Sequence, residues 1–434
     1  MNTGTVRTPG GSRQTVMTVV LLAAAACLIC AMSDGIKNNY GIMLSAIIEN
    51  SGLTYASVSF VLAIGQLLYG MFMPIFGLLA QKKGTLLTLL TGVCMMLAGL
   101  LLLPQCRSPW SLIFCLGILL PAGTGATSYG ILIGAVTPRI PAHTVSLVSG
   151  VVNASSGIGN AVLSPIIQAL LAGGGIFMAM LILSIPTALM IPLCFFVGRS
   201  NNGRSIPSTA EAVDIRWDKT AAAQPAKAKE EVSERAGGFL KTITSPFADA
   251  FRSRTYRLLM VGFFTCGFHM ALISNHLPSQ ITSYGISAAV SSYVFSVYGI
   301  VTMIGSVLSG WLAGKLSMKN VLGTYYALRS VIAMIFLLLP KTIPVVYGYA
   351  ILLGMTGAAT VPPVSGLIGR EFGAARVGTL YGFVFFIHSI GGFLGAWLGG
   401  LCVEFFGGYV QIWVIDMLLC VIAAAASWLI RETK

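Results

Sequence analysis

The chain has 434 residues, 56% hydrophobic and only 9% charged, with a mean hydropathy of +0.86. Soluble domains carry about 25% charged residues, so this composition excludes a soluble enzyme or binding module and requires a polytopic membrane protein. The formal charge of +13 invites a nucleic-acid partner until its placement is considered.

Apolar runs of about 20 residues, the length that crosses a bilayer, predict twelve spans over 16–46, 56–80, 85–104, 111–136, 144–171, 175–197, 256–281, 288–313, 320–339, 343–368, 376–402 and 409–430. The first run follows Arg7 and Arg13 in the manner of a secretory leader. It is too long for one, lacks a small-residue cleavage site and continues through Lys37, so it is expected to be retained. Its length requires a tilt or a bend, with Gly35 and Gly41 as the expected places. Among the Lys and Arg, Arg107 and Lys341 fall on one side, Lys37 and Arg329 fall within spans, and the rest share the other side. This positive-inside bias places both termini in the cytoplasm of a cell or inner membrane. It accounts for the basic excess without nucleic acid.

The nine cysteines are scattered, and Cys27-x-x-Cys30 sits in an apolar helix with no second pair, so it reads as packing rather than redox chemistry. Residues 199–255 interrupt the apolar pattern with Lys, Arg, Glu, Ala and Pro, the composition of a hydrated tether. Near its end Phe239, Ile243, Phe247 and Phe251 recur every fourth residue beside basic side chains, which predicts a short amphipathic helix on the inner surface. The tether divides the spans six and six, giving units over 1–198 and 256–434. Each unit carries a matching turn after its second span: Gly77-Leu78-Leu79-Ala80-Gln81-Lys82-Lys83-Gly84 and Gly310-Trp311-Leu312-Ala313-Gly314-Lys315-Leu316-Ser317. An internal repeat of this kind points to a transporter built of two related halves.

These turns resemble the Gly-x-Leu-Ala-Asp-Arg-x-Gly loop of the major facilitator superfamily, with Gln81 in place of the acid and Gly314 and Ser317 eroding the second copy. The resemblance implies an all-α membrane protein of 12 transmembrane helices in two pseudo-symmetric six-helix bundles. The run Asp34-Gly35-Ile36-Lys37-Asn38-Asn39-Tyr40-Gly41 resembles the opening helix of bacterial relatives of the monocarboxylate transporters. So do Gly267-Phe268-His269 with His276-Leu277-Pro278, and the stretch from Gly378 through His388 to Gly400. The better-known carriers place an Asp and an Arg in span eight, where this chain has only Tyr293 and Tyr298 as large polar groups, so its substrate cation must come from elsewhere.

Asp34 and Lys37 lie three apart, neighbours on a helix, inside a hydrocarbon-length segment where each charge costs about 2.5–3.5 kcal/mol. They either neutralise each other or serve the pathway, with Lys37 as counter-charge to a carboxylate and Asp34 keeping it protonated. His276 and His388 suit proton coupling, because histidine titrates near neutral pH; each could also be a packed, hydrogen-bonded residue. Tyr129, Asn153, Asn275 and Tyr298 are the neutral candidates for substrate contact, though a buried Asn also joins membrane helices. Arg329 is expected to bond helix carbonyls or Asp416. Gly391, Gly395 and Gly399 form a small-residue face for close helix approach. No nucleotide loop, catalytic set or metal cluster is legible. The reading is a secondary carrier without cofactor, moving a small monocarboxylate-like anion with protons, a monomer in lipid. The alternative is a proton-driven exporter of drugs or metabolites.

Overall fold

Away from water, every backbone N–H and C=O must be satisfied within the protein, and for apolar runs of this length the helix does so. The computed structural model describes residues 10–141, 144–198 and 250–432, and among these only helices and connecting turns occur. Eleven helical stretches are long and apolar enough to cross a membrane. One of them, Leu147–Gly198, has 52 residues, about 78 Å at 1.5 Å per residue, more than twice a hydrocarbon core of about 30 Å. Its backbone leaves helical geometry at Gly175 (φ +64°, ψ −169°), a conformation that glycine adopts without strain. Spans five and six meet there almost without a loop, so the chain crosses twelve times.

Four spans are broken among the described residues; in span six the break is at Leu189, between Ala188 and Met190–Gly198. Span one divides into Gly10–Asn38 and Tyr40–Ser51. The interruption falls at Asn39 rather than at the glycines expected to bend. Gly35 and Gly41 instead admit close approach, since a methyl on either would meet a carbonyl oxygen at 2.8 Å, that of Gly159 or of Asn275. Span four restarts at Tyr129–Val136 after Leu120–Ala126, and span ten at Val361–Phe372 after Ile343–Gly357. Pro362 and Pro363 open the second piece of span ten, where a missing N–H is harmless.

The packing repeats between the halves. Span one lies on five and seven on eleven, two on four and eight on ten, three on six and nine on twelve. Across the halves, span two packs on eleven and span five on eight, partners that exchange when six is added to or subtracted from each span number. A methyl on Gly267, Gly391 or Gly395 would run into the backbone of His388, Phe264 or Phe268, so spans seven and eleven touch main chain to main chain. The expected glycine face is this contact, and Gly399 continues it against the His276 ring. Phe239, Ile243 and Phe247 of the expected surface helix lie outside the described residues, while Phe251 meets the rings of Tyr256 and Phe383.

Candidate functional site

The contacts between the halves are unevenly placed. Tyr55 and Ala56 at the start of span two bond to His276, Tyr409 and Glu404 at one end of the molecule. Ser279 donates to the Gly41 carbonyl at the same end. Nearer the middle come Asn160 donating to the Phe295 carbonyl, Tyr69 against Phe385, Gly70 against Ser389 and Gly157 against Gly299. One turn beyond Gly157, on the same face of span five, Asn153 is exposed. The halves are thus sealed at the Tyr55 end, and below Gly157 their facing surfaces open.

Lys37 sits beside these central contacts, against Tyr69. Its Nζ is 3.7 Å from Asp34 Oδ1 and 4.0 Å from the Tyr69 ring centroid, and the two charged side chains are 17% and 15% exposed. A separation of 3.7 Å is an ion pair but not a hydrogen bond. An ammonium has three N–H groups, and no hydrogen bond from Lys37 to a described residue is seen; its second contact is the negative face of an aromatic ring. Asp34 accepts from the Cys30 thiol at 3.6 Å through its other oxygen. At an effective dielectric of about 20, opposite charges 3.7 Å apart attract by about 4–5 kcal/mol, and desolvation offsets part of it.

An aromatic wall continues from Lys37 into the second half. Tyr69 meets Phe385 edge-on at 6.3 Å, Phe385 stacks on His388 at 5.0 Å and 14°, and Phe263 lies 5.0 Å from the same imidazole. His388 is half-buried. Tyr129 is also half-buried, opening the second piece of span four within electrostatic range of Cys30 and Tyr381. Beside the break in span one, buried Asn39 donates to the Gly35 carbonyl at 2.6 Å and to Asn160 Oδ1 at 3.2 Å, and accepts from Ser164 at 2.7 Å.

Other candidates lie apart from Lys37. Buried His276 is 2.8 Å from the Ala396 carbonyl through Nε2 and 3.0 Å from the Tyr55 hydroxyl through Nδ1. A carbonyl only accepts, so Nε2 carries the proton, and Nδ1 accepts from Tyr55, which accepts in turn from Tyr409 at 3.0 Å. This is a neutral imidazole with both nitrogens satisfied, tying four spans together at the sealed end. Asn275, also buried there, donates to the Ala271 carbonyl of its own helix at 2.9 Å, and its Oδ1 has no partner among the described residues. Tyr298 stacks on Phe295 and donates to Met270 Sδ at 3.5 Å, inside the second half. The structure therefore brings Lys37, Asp34 and His388 to one wall with Tyr129 nearby, and puts His276 and Asn275 at the seal.

A third group lies within the second half. His269 Nδ1 is 2.7 Å from Asp416 Oδ2 with both side chains sealed from solvent. Buried Arg329 donates through Nη2 to the Thr356 and Gly357 carbonyls, each at 2.6 Å, capping the break in span ten. The expectation of helix carbonyls as its partners is met. His269, Asp416 and Cys420 offer three potential metal-ligand atoms within 4.8 Å of one another. The short Nδ1–Oδ2 separation is that of a hydrogen bond, and a dication there would face the fixed charge of Arg329.

A family model described as Major Facilitator Superfamily matches residues 23–396 and 259–434. The chain belongs to the Major Facilitator Superfamily. The solved D-xylose–proton symporter superposes with a TM-score of 0.70 at 12% identity, over 96% of this chain and 98% of that one, so the two share a fold. Among curated relatives, the uncharacterised MFS-type transporter YcxA of Bacillus subtilis (strain 168) is 27% identical over 42% of this chain and 44% of its own length. Monocarboxylate transporter 13 of Rattus norvegicus is 24% identical over 89% of this chain and 82% of its own. The putative multidrug resistance protein MdtD of Salmonella paratyphi B is 25% identical over 40% of this chain and 36% of its own. As a Major Facilitator Superfamily transporter the chain has the expected fold, twelve helices in two pseudo-symmetric bundles.

Sequence reasoning missed Tyr55, Tyr69, Glu404 and Tyr409. Tyr69 had a signal, a lone phenol in the otherwise apolar 67–73 of span two. The other three lie at span ends, where polar side chains are ordinary.

Proposed function

We propose that the protein is a secondary active carrier of a small monocarboxylate-like anion, moving it with protons across the cytoplasmic membrane by alternating access. The observation that carries this reading is Lys37. It is an ammonium held in the protein interior beside the central contacts, paired at 3.7 Å rather than hydrogen-bonded, with donors free for a carboxylate. An anion there exchanges the Asp34 contact for charge-assisted hydrogen bonds, the stronger interaction. Tyr129 and His388 are polar neighbours for the rest of the substrate, with Asn153 on the approach and Tyr298 behind the wall. Similarity to a monocarboxylate transporter over most of its length supports the same substrate class.

In this reading the units over 1–198 and 256–434 rock about the site, joined by the tether 199–255, in a working monomer surrounded by lipid. The basic turns mark the cytoplasmic face, so the described conformer opens inward and is sealed outward by His276, Tyr55, Tyr409 and Glu404. The similarity to MdtD supports a second reading, drug or metabolite export. Thermal stability of the purified chain against a panel of small organic acids and cationic drugs separates the two, because a specific ligand stabilises by mass action. The anion reading expects stabilisation by monocarboxylates. It further expects calorimetric affinity for the best of them to fall at least a hundredfold in Lys37→Ala and to recover in part in Lys37→Arg. Wild-type affinity in Lys37→Ala refutes it.

A further inference from the structure

The anion site leaves the most deeply buried titratable group of the second half unused. His269 and Asp416 share one hydrogen bond at 2.7 Å with no exposed surface. Asp416 Oδ2 accepts, so the imidazole hydrogen in a neutral ring is on Nδ1, and Nε2 presents a lone pair. That Nε2 and Asp416 Oδ1 are both buried without a hydrogen-bond partner among the described residues. On span nine Arg329, also fully buried, uses Nη2 on two carbonyls and leaves Nε and Nη1 without partners. Unpartnered polar atoms are expensive away from water, and two on the pair, with two more on Arg329 across Cys420, call for a role.

The titratable neighbours define its charge. Span twelve presents Cys420, whose Sγ is within 4.8 Å of the pair, and span ten presents Tyr349, within electrostatic range of Asp416. Span nine contributes Tyr326 with Arg329, and span eight Tyr298, within range of Arg329. Span seven contributes Cys266, three residues before His269 and so on the same side of the helix, and His388 of span eleven reaches Cys266. Whatever the charge on the thiols and phenols, one proton on either member of the pair raises the charge of the cluster by one.

We infer that the His269–Asp416 pair is the binding site of the proton that travels with the anion, loaded on His269 Nε2 from the cavity by way of His388 and Cys266. This rests on the anion-carrier reading above and adds the place of the second cargo. Loading transfers one proton from water to the Nε2 lone pair, and unloading returns it; no other bond is made or broken. The added positive charge favours a monoanion against the neighbouring wall, and departure of the anion favours release. Where binding of anion and proton is obligately linked, anion affinity falls about tenfold per pH unit above the midpoint of the pair.

The test is a titration of the full-length protein, labelled with ¹⁵N-histidine, between pH 5 and 9 by magnetic resonance. The signal of His269, identified by its loss in His269→Gln, is expected to pass between neutral and doubly protonated forms, with its midpoint at least one pH unit lower in Asp416→Asn. A His269 signal in a single protonation state across the range overturns the inference, and should His269→Gln not fold, four wild-type histidine signals none of which changes state overturn it equally. In proteoliposomes with an imposed pH gradient and pyruvate as probe, His269→Gln and Asp416→Asn, each shown to be folded by circular dichroism, are expected to lose gradient-driven accumulation. Accumulation equal to wild type in both also overturns it. Should wild type bind and move none of a monocarboxylate panel, the anion reading falls, and the titration still decides whether the pair takes up a proton.

Discussion

Replacing Tyr55 by Phe isolates the seal between the halves. The hydroxyl donates to His276 Nδ1 and accepts from Tyr409, each at 3.0 Å. The substitution removes two hydrogen bonds, each contributing about 0.5–1.5 kcal/mol, and leaves a buried nitrogen without a donor, at about 1–3 kcal/mol. These terms overlap, so we take about 2–3 kcal/mol. In the conformer with that end parted, water serves Nδ1 and the Tyr409 hydroxyl, and the loss falls almost wholly on the sealed state. At 1.4 kcal/mol per factor of ten, the parted-to-sealed ratio rises roughly 30- to 150-fold. Spin labels on Arg107 and Thr342, exposed at that end in opposite halves, with Cys94 replaced by serine, report the population as a distance distribution. Tyr55→Phe should enlarge or create a longer-distance component. A distribution superimposable on wild type refutes the latch, since the Ala56–Glu404 bond remaining in the variant would then be sufficient alone.

Three further outcomes follow from the packing and the site. Gly159→Ala pushes a methyl into the Ala31 backbone where spans one and five meet, whereas Gly77 faces open space; the first should lower thermal stability by about 1–3 kcal/mol and Gly77→Ala should be neutral or stabilising, both read by thermal unfolding in detergent. Arg329→Met strips the Thr356 and Gly357 carbonyls of their donor, so the unfolding midpoint should drop, and hydrogen exchange should rise at the break in span ten. Burial pushes the Tyr409 phenol, in the turn before span twelve, up to about 12 from an ordinary value near 10. The folded state then holds its proton longer than the unfolded one, so stability is lost as pH rises from 10 toward 12. Tyrosinate absorbance in wild type minus Tyr409→Phe should show no step for this residue at pH 10.

The spans are legible because lipid demands long apolar helices, and the repeated segments from Gly77 and Gly310 announce two related halves, although the structure keeps both helical, to Lys83 and to Lys315. The apolar pattern leaves a gap at 172–174, where the structure has a single non-helical residue, Gly175. Glycine's freedom puts the bend in span one at Gly35 and Gly41, but Asn39 breaks the helix because partners in span five, over 120 positions away, bond its amide. Lys37 was conspicuous as a charge in an apolar run, yet nothing local says that Tyr69 lies under its ammonium. The histidines show the limit most clearly. The sequence reading puts His276 and His388 on the pathway ahead of His269, and only the fold shows His269 sealed with Asp416, His276 latched to Tyr55 and His388 beside Phe385 and Phe263.

The guanidinium of Arg329 also bears on how the chain is assembled. Its acceptors belong to span ten, which the ribosome completes after span nine has left it. A lone ninth span in lipid bears about 2.5–3.5 kcal/mol for an arginine near its centre, with no carbonyl yet in place to receive it. Entering together, the two helices bring donor and acceptors into the bilayer already joined. Spans nine and ten are therefore expected to integrate as a hairpin, and truncation of nascent chains between them should leave the ninth segment waiting at the translocon rather than released into the membrane.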